Sequence, residues 1–109
     1  MDTTKAAASF AALAQPNRIE IVRLLVKAGA RGMPAGEIGV KLAARQNTMS
    51  ANLAVLKRAG LVRNERQGRS IRYFADFAGI GGLLGFLMED CCGGRPELCQ
   101  KIINDIACS

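Results

Sequence analysis

The sequence predicts one mostly α-helical domain that carries a single small β-hairpin. Two observations predict this fold class. Apolar residues recur at helical spacing before residue 60 and after residue 79, whereas residues 61–74 have the pattern of two short strands around a glycine turn. The length of 109 residues suits one domain rather than two, and a composition that is 50% apolar is enough to bury a core.

The first three helices follow from helix formers and stop signals. An alanine-rich helix is predicted over residues 4–13. Pro16 suits the first turn of a second helix, because its missing N–H costs nothing there, and the glycine-containing loop 28–32 ends that helix. Pro34 is predicted to open a short third helix, and residues 43–46 form a tight connection after it.

A fourth helix is predicted to start near residue 47. Asn47 or Thr48 can cap it, because either side chain can accept a hydrogen bond from an orphan backbone N–H. Its buried stripe has the spacing i, i+4 and i+7 and consists of Met49, Leu53 and Leu56. Gly60 ends it.

A hairpin and two further helices complete the chain. Two strands, 61–66 and 70–74, flank a turn at residues 67–69 that contains glycine where a positive φ is needed. An apolar helix is predicted after residue 79 to about residue 90, and a last short helix begins at Pro96.

Positive charge is concentrated in one third of the chain. Residues 41–73 hold eight lysines and arginines against the single acid Glu65, so this segment carries +7 while the whole chain carries +6. A contiguous basic segment is typical of a surface that meets a polyanion, although a solvated basic face is the alternative.

Two short helices, a tight turn and a basic hairpin together describe a winged helix-turn-helix, whose second helix enters the major groove of DNA. Amide and hydroxyl side chains occupy its first turns, where they can reach base edges. Basic side chains of the helix and the hairpin can bind phosphates. The predicted DNA-binding residues are Arg45, Gln46, Asn47, Thr48, Ser50, Asn52, Lys57, Arg66, Arg69 and Arg72. Helix capping is the alternative role for Asn47 and Thr48.

Three segments resemble the ArsR/SmtB family of winged-helix metal-responsive repressors. They are LAARQNTMSANLAVLKRAGLV (42–62), similar to the family's recognition-helix signature, FAALAQPNRI (10–19), similar to its entry motif, and RQGR (66–69) followed by Tyr73, similar to its wing. The resemblance covers about residues 10–88. It implies a homodimer with the terminal helices at the interface, which binds double-stranded operator DNA and releases it when a ligand binds.

The sequence departs from the family at its two best-known ligand sites. Residues 33–42 contain no Cys-x-Cys, and a chain without histidine cannot build the acid- and histidine-bearing zinc site of the dimer helix. The lack of histidine and of a glycine-rich phosphate loop also argues against an enzyme and against an organic cofactor. We expect a cytoplasmic location and no membrane partner, because the longest apolar run, residues 80–88, is about half of the roughly 20 residues that span a bilayer.

All four cysteines lie in the last fifth of the chain, which in a cytosolic protein points to metal or redox chemistry rather than to structural disulfides. A return of the chain after Cys91 and Cys92 would bring Cys99 towards them. Three thiolates without histidine suit a soft ion such as As(III) or Sb(III), whereas zinc usually takes four ligands. The resemblance adds that some arsenic-responsive members bind As(III) through C-terminal cysteines. We therefore predict that Cys91, Cys92 and Cys99 bind As(III) as inducer, with Sb(III) as the alternative ion, while Cys108 is a small buried or terminal residue.

These predictions divide the chain into residues 1–90, for DNA binding and dimerisation, and residues 91–109, a cysteine-containing sensing extension. Ligation at the end of the apolar helix is expected to change the spacing of the two recognition helices in the dimer. One alternative is a winged-helix sensor of thiol redox state or sulfur. Another is a thiol oxidoreductase or metallochaperone, which the lack of a Cys-x-x-Cys after a strand disfavours.

Overall fold

Helices and a small antiparallel sheet make up this protein, whose structure is a computed structural model that describes residues 1–89 and 96–106. The elements are α1 (Thr3–Leu13), α2 (Pro16–Ala28), a 3₁₀ turn (Gly29–Arg31), β1 (Met33–Pro34), α3 (Ala35–Lys41), α4 (Gln46–Arg58), β2 (Val62–Gln67), β3 (Ser70–Ala75), α5 (Phe77–Leu87) and α6 (Pro96–Ile106). The order matches the predicted winged helix-turn-helix.

Helix boundaries follow local capping chemistry. The Asp2 side chain caps α1 by accepting a hydrogen bond from the backbone N–H of Lys5, at 2.7 Å. Pro16 is the first residue of α2, as predicted, and Gly29 ends that helix with a φ of +63°. The fifth helix starts at Phe77, earlier than the sequence predicted, because the Asp76 side chain accepts from the N–H of Gly79 at 2.9 Å and so caps it.

The core forms where α4 packs on α2 and α3. The predicted stripe is confirmed, because Met49, Leu53 and Leu56 are all buried. They belong to one apolar cluster with Leu25 of α2 and Ile38 of α3. Each such side chain contributes about 1.5–3 kcal/mol through removal from water, so this cluster sets how α4 lies on the domain.

The sheet has the strand order β1-β3-β2, so β3 is the central strand. Gln67 pairs with Ser70 across a two-residue turn, and Gly68 in that turn has a φ of +63°. Tyr73 lies in the middle of β3, with Met33 of β1 on one side and Asn64 of β2 on the other.

Strand β1 was not predicted. It is only two residues long, which is too short to show the alternation by which strands are recognised. It forms because it pairs with β3, some 40 residues later in the chain. Gly32, just before β1, allows the backbone to lie close to β3. A Cβ at Gly32 would collide with the backbone oxygen of Tyr73 and with the ring of Phe74.

Helix α5 lies directly on the connection between α4 and β2. A Cβ at Gly79 would collide with the backbone carbonyl of Gly60, so only glycine allows this approach. The N–H of Asp76 also donates to the carbonyl of Leu61 at 3.0 Å. Of the helices within the described ranges, none is long and apolar enough to cross a membrane.

We expect Gly79→Ala to destabilise the domain by about 3 kcal/mol, because the added methyl group would meet backbone that cannot rotate away. The matched control is Gly36→Ala in α3, where a Cβ meets open space and alanine should stabilise the helix by about 0.5–1 kcal/mol. Urea denaturation of both variants measures the difference. Equal stability of the two variants would contradict the described contact.

Candidate nucleic-acid interface

The N-terminus of α4 is open to solvent. Arg45 occupies the N-cap position with an extended backbone, and no side chain caps the helix. The prediction that Asn47 or Thr48 is the N-cap is therefore wrong, because the helix already begins at Gln46 and both residues lie within its first turn. The Asn47 side chain instead accepts from the neighbouring N–H of Thr48 at 2.9 Å, and both side chains remain exposed.

The outer face of α4 groups most of the predicted base-contacting residues. Exposed side chains there are Arg45, Gln46, Asn47, Thr48 and Ser50. Ala51 and Ala54, also exposed, continue this face without bulk. Because the buried stripe points into the core, the helix presents amides and hydroxyls outwards, which is the chemistry that reads base edges in a major groove. Lys57 is exposed near the far end of the same helix.

Asn52 does not belong to this face. Its residue is only 8% exposed, and its side-chain oxygen accepts from Nε of Arg18 at 3.3 Å. Arg18 also donates to the carbonyl of Ala12 at 3.4 Å, so this pair ties together α1, α2 and α4. The structure does not support the prediction that Asn52 contacts DNA. Its role is to position the recognition helix, and Arg18 is a positioning residue that the sequence analysis missed.

The predicted hairpin arginines lie in three different places. Arg69 is in the two-residue turn at the tip, and Arg66 is exposed on β2. Arg72 is half-buried in β3, where its Nη1 donates to the carbonyl of Arg31 at 2.9 Å and its Nε donates to Oε1 of Gln67 at 3.1 Å. Arg72 therefore fastens the hairpin to the turn after α2, while Arg66 and Arg69 remain available to phosphates.

The ion pairs of the described residues do not neutralise the predicted DNA-binding side chains. Over residues 1–89 and 96–106 the ion pairs are Arg23 with Glu20 and Arg63 with Glu65, each at 3.2 Å. Neither pair includes a predicted DNA-binding residue. The arginines of the α4 face and of the wing tip can therefore bind phosphate without first breaking a salt bridge.

Most of the predicted cysteine site lies outside the described residues. Cys91 and Cys92 lie outside the described residues, as does Cys108, and Cys99 is placed only by the backbone of α6. In the part of the chain that is described, no group of three or more His, Cys, Asp or Glu side chains could hold a metal ion.

Comparisons with known proteins place this geometry in a family. A family model described as a helix-turn-helix domain matches residues 13–65. The uncharacterised HTH-type transcriptional regulator YbzH of Bacillus subtilis (strain 168) is 36% identical over 93 residues, which cover 74% of this chain and 93% of YbzH.

Solved structures agree with that match. An ArsR-like transcriptional regulator from Rhodococcus sp. RHA1 has 28% identity and a TM-score of 0.70, and the alignment covers 97% of this chain and 95% of that one. The homodimeric winged helix-turn-helix DNA-binding domain Mb0332 from Mycobacterium bovis has 30% identity and a TM-score of 0.61, with 80% of this chain and 81% of that one covered.

An open recognition helix, a basic wing and these relatives define a DNA-binding transcriptional regulator rather than an enzyme. The chain belongs to the ArsR family of winged helix-turn-helix transcriptional regulators.

Two asparagine-to-alanine variants on α4 separate binding from positioning. Asn47→Ala removes an exposed amide, so we expect binding to a duplex selected from a randomised pool to weaken by about 1–3 kcal/mol with unchanged stability. Asn52→Ala leaves Nε of Arg18 without its acceptor, so we expect a loss of about 1–2 kcal/mol in the free energy of unfolding and little loss of affinity in folded protein. Fluorescence anisotropy and urea denaturation measure the two quantities, and the reverse pattern would contradict the assignment.

Proposed function

We propose that this protein is a cytoplasmic, homodimeric repressor that binds double-stranded operator DNA and releases it when As(III), or Sb(III), binds Cys91, Cys92 and Cys99. The observation that carries the DNA-binding part is the exposed amide and hydroxyl face at the start of α4. In this proposal residues 1–90 bind DNA and form the dimer, and residues 91–109 sense the ligand.

The dimer is supported by apolar surface on α5. Phe77, Leu84 and Leu87 are 55%, 48% and 55% exposed, an arrangement that costs free energy unless a partner covers it. Helix α1 packs against α5, so both terminal helices of the domain can share the interface. A two-fold dimer would present two α4 helices to a pseudo-palindromic operator.

The route from sensor to DNA is supported by the packing of α5 on the end of α4. The start of α5 is held to the α4–β2 connection by the hydrogen bond from Asp76 to Leu61 and by the contact of Gly79 with Gly60. In the sequence, Cys91 and Cys92 are the fourth and fifth residues after the other end of α5. A displacement of α5 is therefore passed to the base of the recognition helix through backbone contacts, which are stiffer than side-chain contacts.

The inducer is supported by the chemistry of the donor set. Three thiols and no histidine favour an ion that forms three bonds to sulfur. Arsenous acid exchanges its three hydroxyl groups for three thiols: three As–S bonds form, three As–O bonds break, and each hydroxyl leaves as water with the proton of one thiol, so the oxidation state does not change. Cys99 is the fourth residue of α6.

Linkage then determines the direction of the response. A ligand that binds the DNA-incompetent arrangement of the dimer more tightly must lower DNA affinity by the same factor. A coupling free energy of about 1–3 kcal/mol, which is common, corresponds to a drop in affinity of roughly 5–150-fold.

We expect Leu84→Glu to convert the dimer into a monomer, because two glutamates would have to be buried at the interface. Val40→Glu is the matched control, since Val40 on α3 is 82% exposed and lies outside the proposed interface. Sedimentation velocity at micromolar concentration separates the two outcomes. A dimer that survives Leu84→Glu would exclude this face.

As(III) titration of the reduced protein tests the sensor. Serine at Cys91, Cys92 or Cys99 should abolish both the binding of one As per subunit and the release of a selected duplex, whereas Cys108→Ser should leave both unchanged. Mass spectrometry counts the bound ion, and anisotropy follows the DNA. Release by oxidant that reductant reverses, with no effect of As(III), would instead establish the redox sensor.

A further inference from the structure

A cleft beside the wing is lined by three arginine residues. It has a volume of about 400 Å³ and lies between the turn after α2 and one face of the hairpin. Arg31 comes from the 3₁₀ turn, Arg63 from β2 and Arg72 from β3. Three segments distant in sequence thus place arginines around one space.

The register of the hairpin explains why these side chains meet. Successive residues of a strand point to opposite faces. Arg63 is paired with Phe74 and Glu65 with Arg72, so these four side chains share one face of the hairpin, opposite to the face of Arg66. The wing therefore has two separate basic surfaces, one with Arg66 and one with Arg63 and Arg72, and the sequence analysis did not distinguish them.

Two of the three guanidinium groups have protein partners before any ligand arrives. Arg72 is fixed by its bonds to the carbonyl of Arg31 and to Gln67. Arg63 lies over the ring of Phe74, with its Cζ 4.3 Å from the ring centroid, and pairs with Glu65 at 3.2 Å. Preorganised arginines lose less side-chain freedom when they bind an oxyanion, so the affinity gained for each hydrogen bond is larger.

We propose that this cleft binds a phosphate group. Three arginines against the single acid Glu65 leave a lining charge of +2, which matches a phosphate monoester with a charge near −2 at neutral pH. Guanidinium forks match the geometry of phosphate oxygens, and they carry their charge at every accessible pH. A small phosphate ester and the DNA backbone supply the same chemistry, and the charge balance favours the monoester. The inference does not depend on the inducer proposed above.

Inorganic phosphate, titrated at constant ionic strength into the full chain, is the first probe. The guanidinium Nε–H signals of Arg63 and Arg72 should shift saturably in nitrogen-15 NMR spectra. Arg31→Gln removes one guanidinium but keeps the backbone carbonyl that holds Arg72, so phosphate affinity should fall about tenfold, as expected for one lost charge-assisted hydrogen bond. Arg23→Gln on α2, outside the cleft, should bind like the wild type.

A reciprocal variant keeps the test informative if Arg31→Gln folds poorly. Glu65→Gln removes the acid that lines the cleft and competes for Arg63, so phosphate binding should tighten by roughly threefold. Shifts that stay linear with phosphate concentration and are the same in the wild type, Arg31→Gln and Glu65→Gln would overturn the proposal.

A second experiment distinguishes a free phosphate from a phosphate of the DNA backbone. It measures binding to a DNA duplex of arbitrary sequence, about 30 base pairs long, because non-specific binding reports the backbone contacts alone. The slope of log affinity against log salt should fall by about one for Arg69→Gln, the wing-tip reference. An unchanged slope for Arg31→Gln, together with its weaker phosphate binding, shows that the cleft takes a free phosphate group and not a phosphate of the DNA backbone. A slope lowered by about one places a DNA phosphate in the cleft.

Discussion

Burial of one side of α4 is the constraint on which the rest of this structure depends. Leu53 and Leu56 are completely enclosed against α2 and α3, and loss of either would cost about 2–5 kcal/mol. A helix that is fixed on one side has no freedom left on the other. Its outer face, with Gln46 and Asn47 at the leading end, is therefore presented to solvent as a rigid surface, and the wing and α5 are both anchored to the loop that follows this helix.

Local signals predicted most of the fold and the leading edge of the interface. Pro16, the glycine turn at Gly68 and the stripe from Met49 to Leu56 each act through their own backbone or helical period, so they can be read without knowing the rest of the chain. Exposure of Asn47 followed from the same period, because it lies opposite to that stripe.

What sequence could not predict depends on distant contacts. Strand β1 forms only against β3, and the position of Arg72 depends on the carbonyl of Arg31, 41 residues away. Asn52 is the instructive error, since it lies three residues after Met49 and thus on the buried side of the helix, but its residue type suggested DNA. The type of a side chain says what it can bind, whereas its helical position says what it can reach.

The placement of Tyr73 gives this protein a built-in optical reporter. The chain has one tyrosine and no tryptophan, and that tyrosine is half-buried at the centre of the sheet, between β1 and β2. Its near-ultraviolet emission therefore comes from the wing alone, without contribution from any other indole or phenol. Binding of a ligand or of nucleic acid that disturbs the hairpin can therefore be followed by the fluorescence of Tyr73 in the unlabelled native chain. Changes confined to the helices leave this signal unchanged.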